Sequence, residues 1–277
     1  VTLVQFREYR DYAQNRQEAN NAIMALLAGS QLANHVLHLT HGSEMQLSQI
    51  FPAVPHIKRF NLRTDRAQQF LGEAEEHLCA MAVPYILAIH EDLLMTTLKM
   101  LARDGHMTMR RADDAKSHNM HSTFESVTGH TLPAASVKQF HLLRFMRNCL
   151  IHAAGTANQA LVGHIASLDA PTIQGWETLT GHPLMGSVTV GRKVSFKQGD
   201  LIASLAVTKR IAEECNSALV GKISRQTWAD YVLREFQADG GNSQANDRLR
   251  KVKGIARFYY RALQLTEQEL QDAIARA

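Results

Sequence analysis

The chain has 277 residues, 45% hydrophobic and 20% charged, which is enough for one large or two modest domains around a real core and excludes a disordered or fibrous chain. Six prolines and 16 glycines are few for this length and favour helices over a strand-and-turn architecture. A formal charge of +4 admits an anionic partner such as RNA without requiring one.

In chain order, residues 1–41 read as a helix, with Ile23, Leu26, Leu27, Leu32, Val36 and Leu39 at helical intervals. The glycine and serine of "HGSE" (His41 to Glu44) stop it and prepare the next element. Two prolines make "FPAVPHIKRFNLRTD" a loop. A long helical stretch follows from Asp65, with Pro84 marking a break or kink. Its second half, "YILAIHEDLLMTTLKMLA", is apolar nearly all round and predicts a central core helix. Residues 104–122 are polar and irregular.

A short repeat follows: "FESVTGHTL" (Phe124 to Leu132) returns 52 positions later as "WETLTGHPL" (Trp176 to Leu184). Nothing around the copies matches, so they predict two similar helix stops, with Gly129 and Gly181 at the left-handed cap position, rather than a solenoid. Helices are predicted over 135–154, near 156–168 and from about Pro171. "SVTVGRKVSF" (Ser187 to Phe196) predicts a small β-hairpin. Asp200 is placed to cap a helix over 201–220, and another covers 225–237. "ADGGNSQAND" (Ala238 to Asp247) is the best linker in the chain, and the capping box "TEQE" at Thr266 to Glu269 restarts a helix near the end. The chain therefore reads as mostly α, with a domain over 1–222 and a helical extension over 223–277.

Three scattered cysteines (Cys79, Cys149, Cys215) without CxxC spacing predict a reducing, cytoplasmic setting and no zinc cage. No apolar run approaches the ~18 residues of a membrane span, and the start lacks the pattern of a secretion signal. In "HVLHLTH", His35, His38 and His41 recur every three residues, but the third has turned ~120° from the first, so one helix cannot offer all three to a metal. No phosphate loop, dinucleotide fingerprint or nucleophile elbow is present.

The helix "FHLLRFMRNCLIHAAG" (Phe140 to Gly155) carries the richest chemistry. Val137, Phe140, Leu143, Met146, Cys149 and Leu150 form a core stripe. At ~100° per residue, His141, Arg144, Arg147, Asn148 and His152 fall within roughly 140° on the other side. Gly155 then ends the helix, leaving His152 in its last turn. An arginine, an amide and a histidine on a rigid helix can hold and polarise a phosphodiester. A solvated strip on an amphipathic helix is the alternative. Spacing alone decides nothing: Arg111 and His118 form a similar pair in the polar loop, with no core stripe to fix them. Glu91 and Asp92 lie in an apolar helix, where one of them, preferably Glu91, is a candidate partner for an arginine of the motif helix. In the C-terminal "RLRKVKGIARFYYRAL" (Arg248 to Leu263), Val252, Ile255, Phe258 and Tyr259 form a docking stripe, with Arg250, Lys251 and Lys253 as secondary RNA contacts.

"RNCLIHAAG" resembles the signature of the HEPN superfamily, in which an arginine is followed by a polar residue, a few apolar residues and a histidine. Asn148 fits the polar position, and "LAIHEDLL" upstream and the "TGHTL" lead-in fit the surroundings. The resemblance covers residues 17–220 in organisation and is sharp only over Arg144 to Gly155. It implies a four- or five-helix bundle that pairs face to face, with the two motif helices lining a dimer cleft. It further implies a metal-independent, cofactor-free endoribonuclease of toxin–antitoxin or phage-defence type, restrained by an antitoxin or other regulator. Arg147 would stabilise charge on phosphorus, His152 would move the proton and Asn148 would orient the phosphate, with Glu91, Arg144 and His141 in support. Arg147 and His152 sit ~140° apart on the helix, a separation that pairing across a dimer would ease. A catalytically silent helical module that binds RNA or scaffolds a complex, and an unrelated helical interaction protein, remain the alternatives.

Overall fold

The computed structural model describes residues 3–39, 42, 45–59, 61–184, 188–241 and 245–277. It is mostly α: thirteen α-helices and, among the described residues, no strand. Helix α1 (Arg7–His38) leads through a short α2 (Leu47–Ile50) to α3 (Thr64–Gly72) and α4 (Ala74–Arg103). The chain turns at Glu73, and Pro84, expected to mark a break or kink, lies inside a helix that is not broken there.

Helix α4 is the central element, packing against α1, against α7 (Ala134–His152) and against α10 (Gln198–Lys222). It buries Val83, Ile86, Leu87, Leu94, Leu98 and Leu101. By length and composition it is also the one described helix that could cross a membrane, which the search for uninterrupted apolar runs missed. Its covering by three helices makes it a core helix here.

The stretch 104–122 is less irregular than expected. Thr108 caps a short α5 (Met109–Asp113), whose Ala112 is buried, and α6 (Met120–Thr128) begins inside it. Helices α8 (Gln159–Ala166) and α9 (Ala170–Thr180) follow, capped by Asn158 and Asp169. Helix α10 starts three residues earlier than its pattern indicated. Asp200 still serves as a cap, but from inside the first turn, where its carboxylate accepts the Lys197 N–H at 2.8 Å.

The predicted hairpin does not form. Ser187 lies outside the described residues, and the rest of the segment pairs with the chain that leaves α7: Val194 N–H donates to Gly155 O, and Ala157 N–H to Arg192 O, both at 2.8 Å. The alternation still buries Val194 and Phe196, but the partner backbone is the end of the motif helix, not a second arm of the same segment.

Helices α11 (Arg225–Ala238), α12 (Ala245–Tyr259) and α13 (Glu267–Arg276) pack on one another. Helix α12 begins within the expected linker, of which residues 242–244 lie outside the described residues. The three helices are stitched to the N-terminal segment: Gln5 N–H donates to Tyr259 O at 2.8 Å, and buried Glu235 takes both Arg10 (2.6 Å) and the Tyr260 hydroxyl (2.9 Å). The buried positions of α12 and the residue after it are Val252, Ala256 and Tyr260, while Phe258, expected in the docking stripe, is exposed. On α1 the expected stripe is covered only in part: Ile23 and Leu27 are buried, whereas Leu26, Leu32 and Leu39 face solvent.

Candidate active site on the motif helix

Helix α7 runs on the pattern its sequence dictates. Phe140, Leu143, Met146 and Cys149 are buried, and His141, Arg144, Arg147 and Asn148 are half-buried on the other side. The helix ends in two successive left-handed residues, Ala154 (φ 48) and Gly155 (φ 73). The N–H groups of Ala153 and Gly155 both donate to Cys149 O at 3.0 Å, a closed C-terminal stop of the glycine type. His152 is exposed in that last turn beside Ile151, an exposed apolar residue.

The preferred acidic partner is in place. Arg147 Nη2 donates to Glu91 Oε1 at 3.1 Å across the α4–α7 contact, with side-chain exposures of 18% and 22%. Burial pushes the Glu91 carboxyl up, opposed by the guanidiniums of Arg147 and Arg144. Two arginines thus face one carboxylate, leaving the strip net positive. Arg147 Nε is buried and has no acceptor, a donor of the kind that folded proteins almost always satisfy. Asp92, the other acidic candidate, is exposed.

Arg144 lies over the Phe145 ring at 4.3 Å, and its Nε donates to His141 Nδ1 at 3.2 Å. That bond requires an unprotonated His141 Nδ1, in keeping with a pKa lowered to about 4 by burial and by Arg144. Behind it is a feature the sequence reading missed. His90 of α4 and His121 of α6 are fully buried with their Nε2 atoms 3.2 Å apart, and Phe140 packs against both rings. Burial lowers His90 to about 3 and His121 well below its usual value. Two neutral imidazoles can share one hydrogen bond, one Nε2 donating and the other accepting. His164 of α8 completes the column, its ring edge-on to His141 and its Nε2 facing Lys138 O at 2.9 Å. The only sequence signal for His90 was its place inside "LAIHEDLL", beside the acid that drew the attention.

Other candidates stand apart. Arg111 donates to Ser126 Oγ and His118 is exposed. Arg250 and Lys251 are both held by Asp247, at 2.6 and 3.0 Å, and Lys253 pairs with Glu267. His35 and His38 are exposed, His41 lies outside the described residues, and no group of three or more metal-capable side chains occurs among the described residues. Cys79, Cys149 and Cys215 are buried free thiols. Comparison with family models, with curated proteins and with solved structures gives no match for this chain.

Proposed function

We propose that the protein is a metal-independent endoribonuclease of HEPN type, acting as a homodimer in a toxin–antitoxin or phage-defence role in the cytoplasm. The observation that carries the reading is the Arg147–Glu91 pair: the motif arginine is held by the acidic residue expected of it, yet keeps a buried Nε donor without an acceptor. A phosphate oxygen would supply the acceptor this donor lacks once the guanidinium turns to face it. The ribose 2′-hydroxyl would attack the adjacent phosphorus as the 5′-oxygen leaves, giving a 2′,3′-cyclic phosphate and a 5′-hydroxyl end. His152, exposed at the helix end, would carry the proton from one oxygen to the other, Arg147 would bear the charge on the equatorial oxygens, and Asn148 would orient the phosphate. Exposed Ile151 beside His152 provides apolar surface for a second α7 to cover.

The test is purified protein with mixed RNA in chelator, beside Arg147→Ala and His152→Ala. The expected result is cleavage with cyclic-phosphate ends, reduced by about 10²–10⁴-fold in the histidine variant. Intact RNA with the wild-type protein, or equal cleavage by His152→Ala, overturns the proposal. The second reading, a silent helical module for RNA binding or scaffolding, is favoured by the charge of Arg147 being engaged by Glu91. It predicts RNA retention without cleavage.

A further inference from the structure

The second copy of the repeated helix stop borders a cavity of about 280 Å³, between the end of α9, the segment 192–197 and the start of α10. Met146 of α7 is in its wall, ~100° around the helix from Arg147 and on the buried face. The cavity is therefore separate from the polar strip.

Its chemistry is that of an anion site. Arg192, Lys193 and Lys197 line it together with the carboxylate of Asp200, and Lys193 Nζ also donates to Ala154 O at 3.0 Å. One oxygen of that carboxylate accepts the Lys197 N–H, and the other lies 3.2 Å from His182 Nε2 without hydrogen-bond geometry. The 25-residue α10 begins at the same place, adding the partial positive charge of a helix N-terminus. Trp176 walls the pocket and is 1% exposed, and its indole N–H has no acceptor in the protein. Three cations about one cavity, with an unpaired indole N–H in a residue of its wall, call for a ligand with several acceptor oxygens and negative charge.

Ser195 shares the pocket with His182 and Asp200, but the three do not make a nucleophilic triad. With Nε2 turned to Asp200, the nitrogen a triad would turn to Ser195 is Nδ1, and it donates to Pro183 O at 3.2 Å instead. The role the geometry leaves is binding. The volume is at the small end of ligand pockets (about 300–1,000 Å³), which excludes a polymer as the enclosed ligand.

We propose that this pocket binds a small phosphomonoester, up to the size of a nucleoside monophosphate, with its phosphate against Arg192, Lys193 and Lys197. The inference rests on none of the residues of the ribonuclease reading. The experiment is thermal denaturation of the full chain with inorganic phosphate or adenosine monophosphate, and with sodium chloride at matched ionic strength. Ligand at tenfold over its Kd is expected to raise Tm by about 3 °C, and chloride to leave it unchanged. A larger shift with the nucleotide assigns an organic phosphate, and equal shifts assign free phosphate. The shift should vanish in Arg192→Ala/Lys197→Ala, and Trp176→Phe should weaken binding about 3–10-fold while abolishing any tryptophan fluorescence change. If the double variant loses helicity, Arg192→Gln and Lys197→Gln carry the test singly, each expected to raise Kd about tenfold. No shift with either phosphate, an equal shift with chloride, or unchanged affinity in the variants overturns the proposal.

Discussion

Replacing Arg147 by methionine keeps most of the packing of its aliphatic stem and leaves Glu91 in a half-buried site without its main partner. Removing one member of a fully buried ion pair costs about 3–5 kcal/mol, whereas exposed pairs contribute about 0–1. With side-chain exposures of 18% and 22%, the pair falls between these limits, at about 2 kcal/mol. For a chain of this size that lowers Tm by roughly 4–8 °C at pH 7. The loss should depend on pH. Burial already raises the Glu91 carboxyl, and the opposing effects come from Arg147 and Arg144; with Arg147 gone, the folded-state value rises further. A carboxyl raised in the folded state binds more protons there than in the unfolded chain, so stability falls as pH climbs from the unfolded value of ~4.5 through the folded one. The Arg147→Met deficit should therefore be largest at pH 7–8 and shrink towards pH 5. Glu91→Gln, added to Arg147→Met, should recover part of the stability, a coupling of about 1–2 kcal/mol in a double-mutant cycle. Urea denaturation between pH 5 and 8 measures both. A deficit constant with pH, or strictly additive single losses, would refute the claim that the two side chains hold each other in a partly desolvated contact.

Gly199 in the first turn of α10 is a second point of leverage. A Cβ there would lie 2.1 Å from Thr180 O and 2.8 Å from its carbonyl carbon, so Gly199→Ala should cost about 1–3 kcal/mol by forcing backbone apart, read as a fall in Tm; a neutral alanine would mean that α9 and α10 do not meet this closely. The buried histidines make a prediction at acid pH. His90, His121 and His141 have lowered folded-state values, so the unfolded chain binds more protons below its own value of ~6.5. Their contribution is complete above pH 6.5 and is lost as pH falls, down to about 4 for His141 and about 3 for His90. His90→Leu/His121→Leu, which replaces the mutual hydrogen bond with apolar packing, should flatten the slope of stability between pH 6.5 and 4.5. An unchanged slope would place the acid sensitivity elsewhere.

The helical class was legible because it depends on local information: apolar periodicity, start signals such as Pro171 and Asp200, and the box at Thr266 and Glu269 all act within a few positions of themselves. The motif helix was legible for the same reason, and the Arg147–Glu91 contact followed from an acid stranded in an apolar run. What failed needed a partner distant in the chain. The valines of 188–196 alternate like a strand, but sequence cannot say which backbone the segment will join, and its residues 191–194 joined the exit of α7. The apolar positions of α1 continue to Leu39 while the core that could cover them does not. Phe258 fits a stripe on α12 whose buried positions prove to be Val252 and Ala256, continued by Tyr260 just past the helix. The histidine column joins α4, α6, α7 and α8, and no spacing within any one helix announces it.

The paired stops at 124–132 and 176–184 show how one local solution acquires two different consequences. In each copy a threonine hydroxyl donates back to the aromatic residue's carbonyl, at 2.8 and 2.9 Å, and the glutamate carboxylate accepts the N–H of the final leucine, at 2.8 and 3.3 Å. Gly129 and Gly181 take the left-handed cap at φ 74 and φ 71. The histidine after each glycine then meets a carboxylate of α10: His130 reaches Glu214 at 3.3 Å and His182 reaches Asp200 at 3.2 Å. Those acids are fourteen positions apart, about 21 Å along a helix, so the copies clasp α10 at its first turn and about two-thirds of the way along it. The first copy delivers the chain into α7 and so sets where the polar strip begins. The second meets the first turn of α10, where its histidine engages the lone acid among three cations and its tryptophan keeps a donor unpaired. The local sequence is shared; the surroundings at the two places on α10 make one copy a lead-in to the motif helix and the other the wall of an anion pocket.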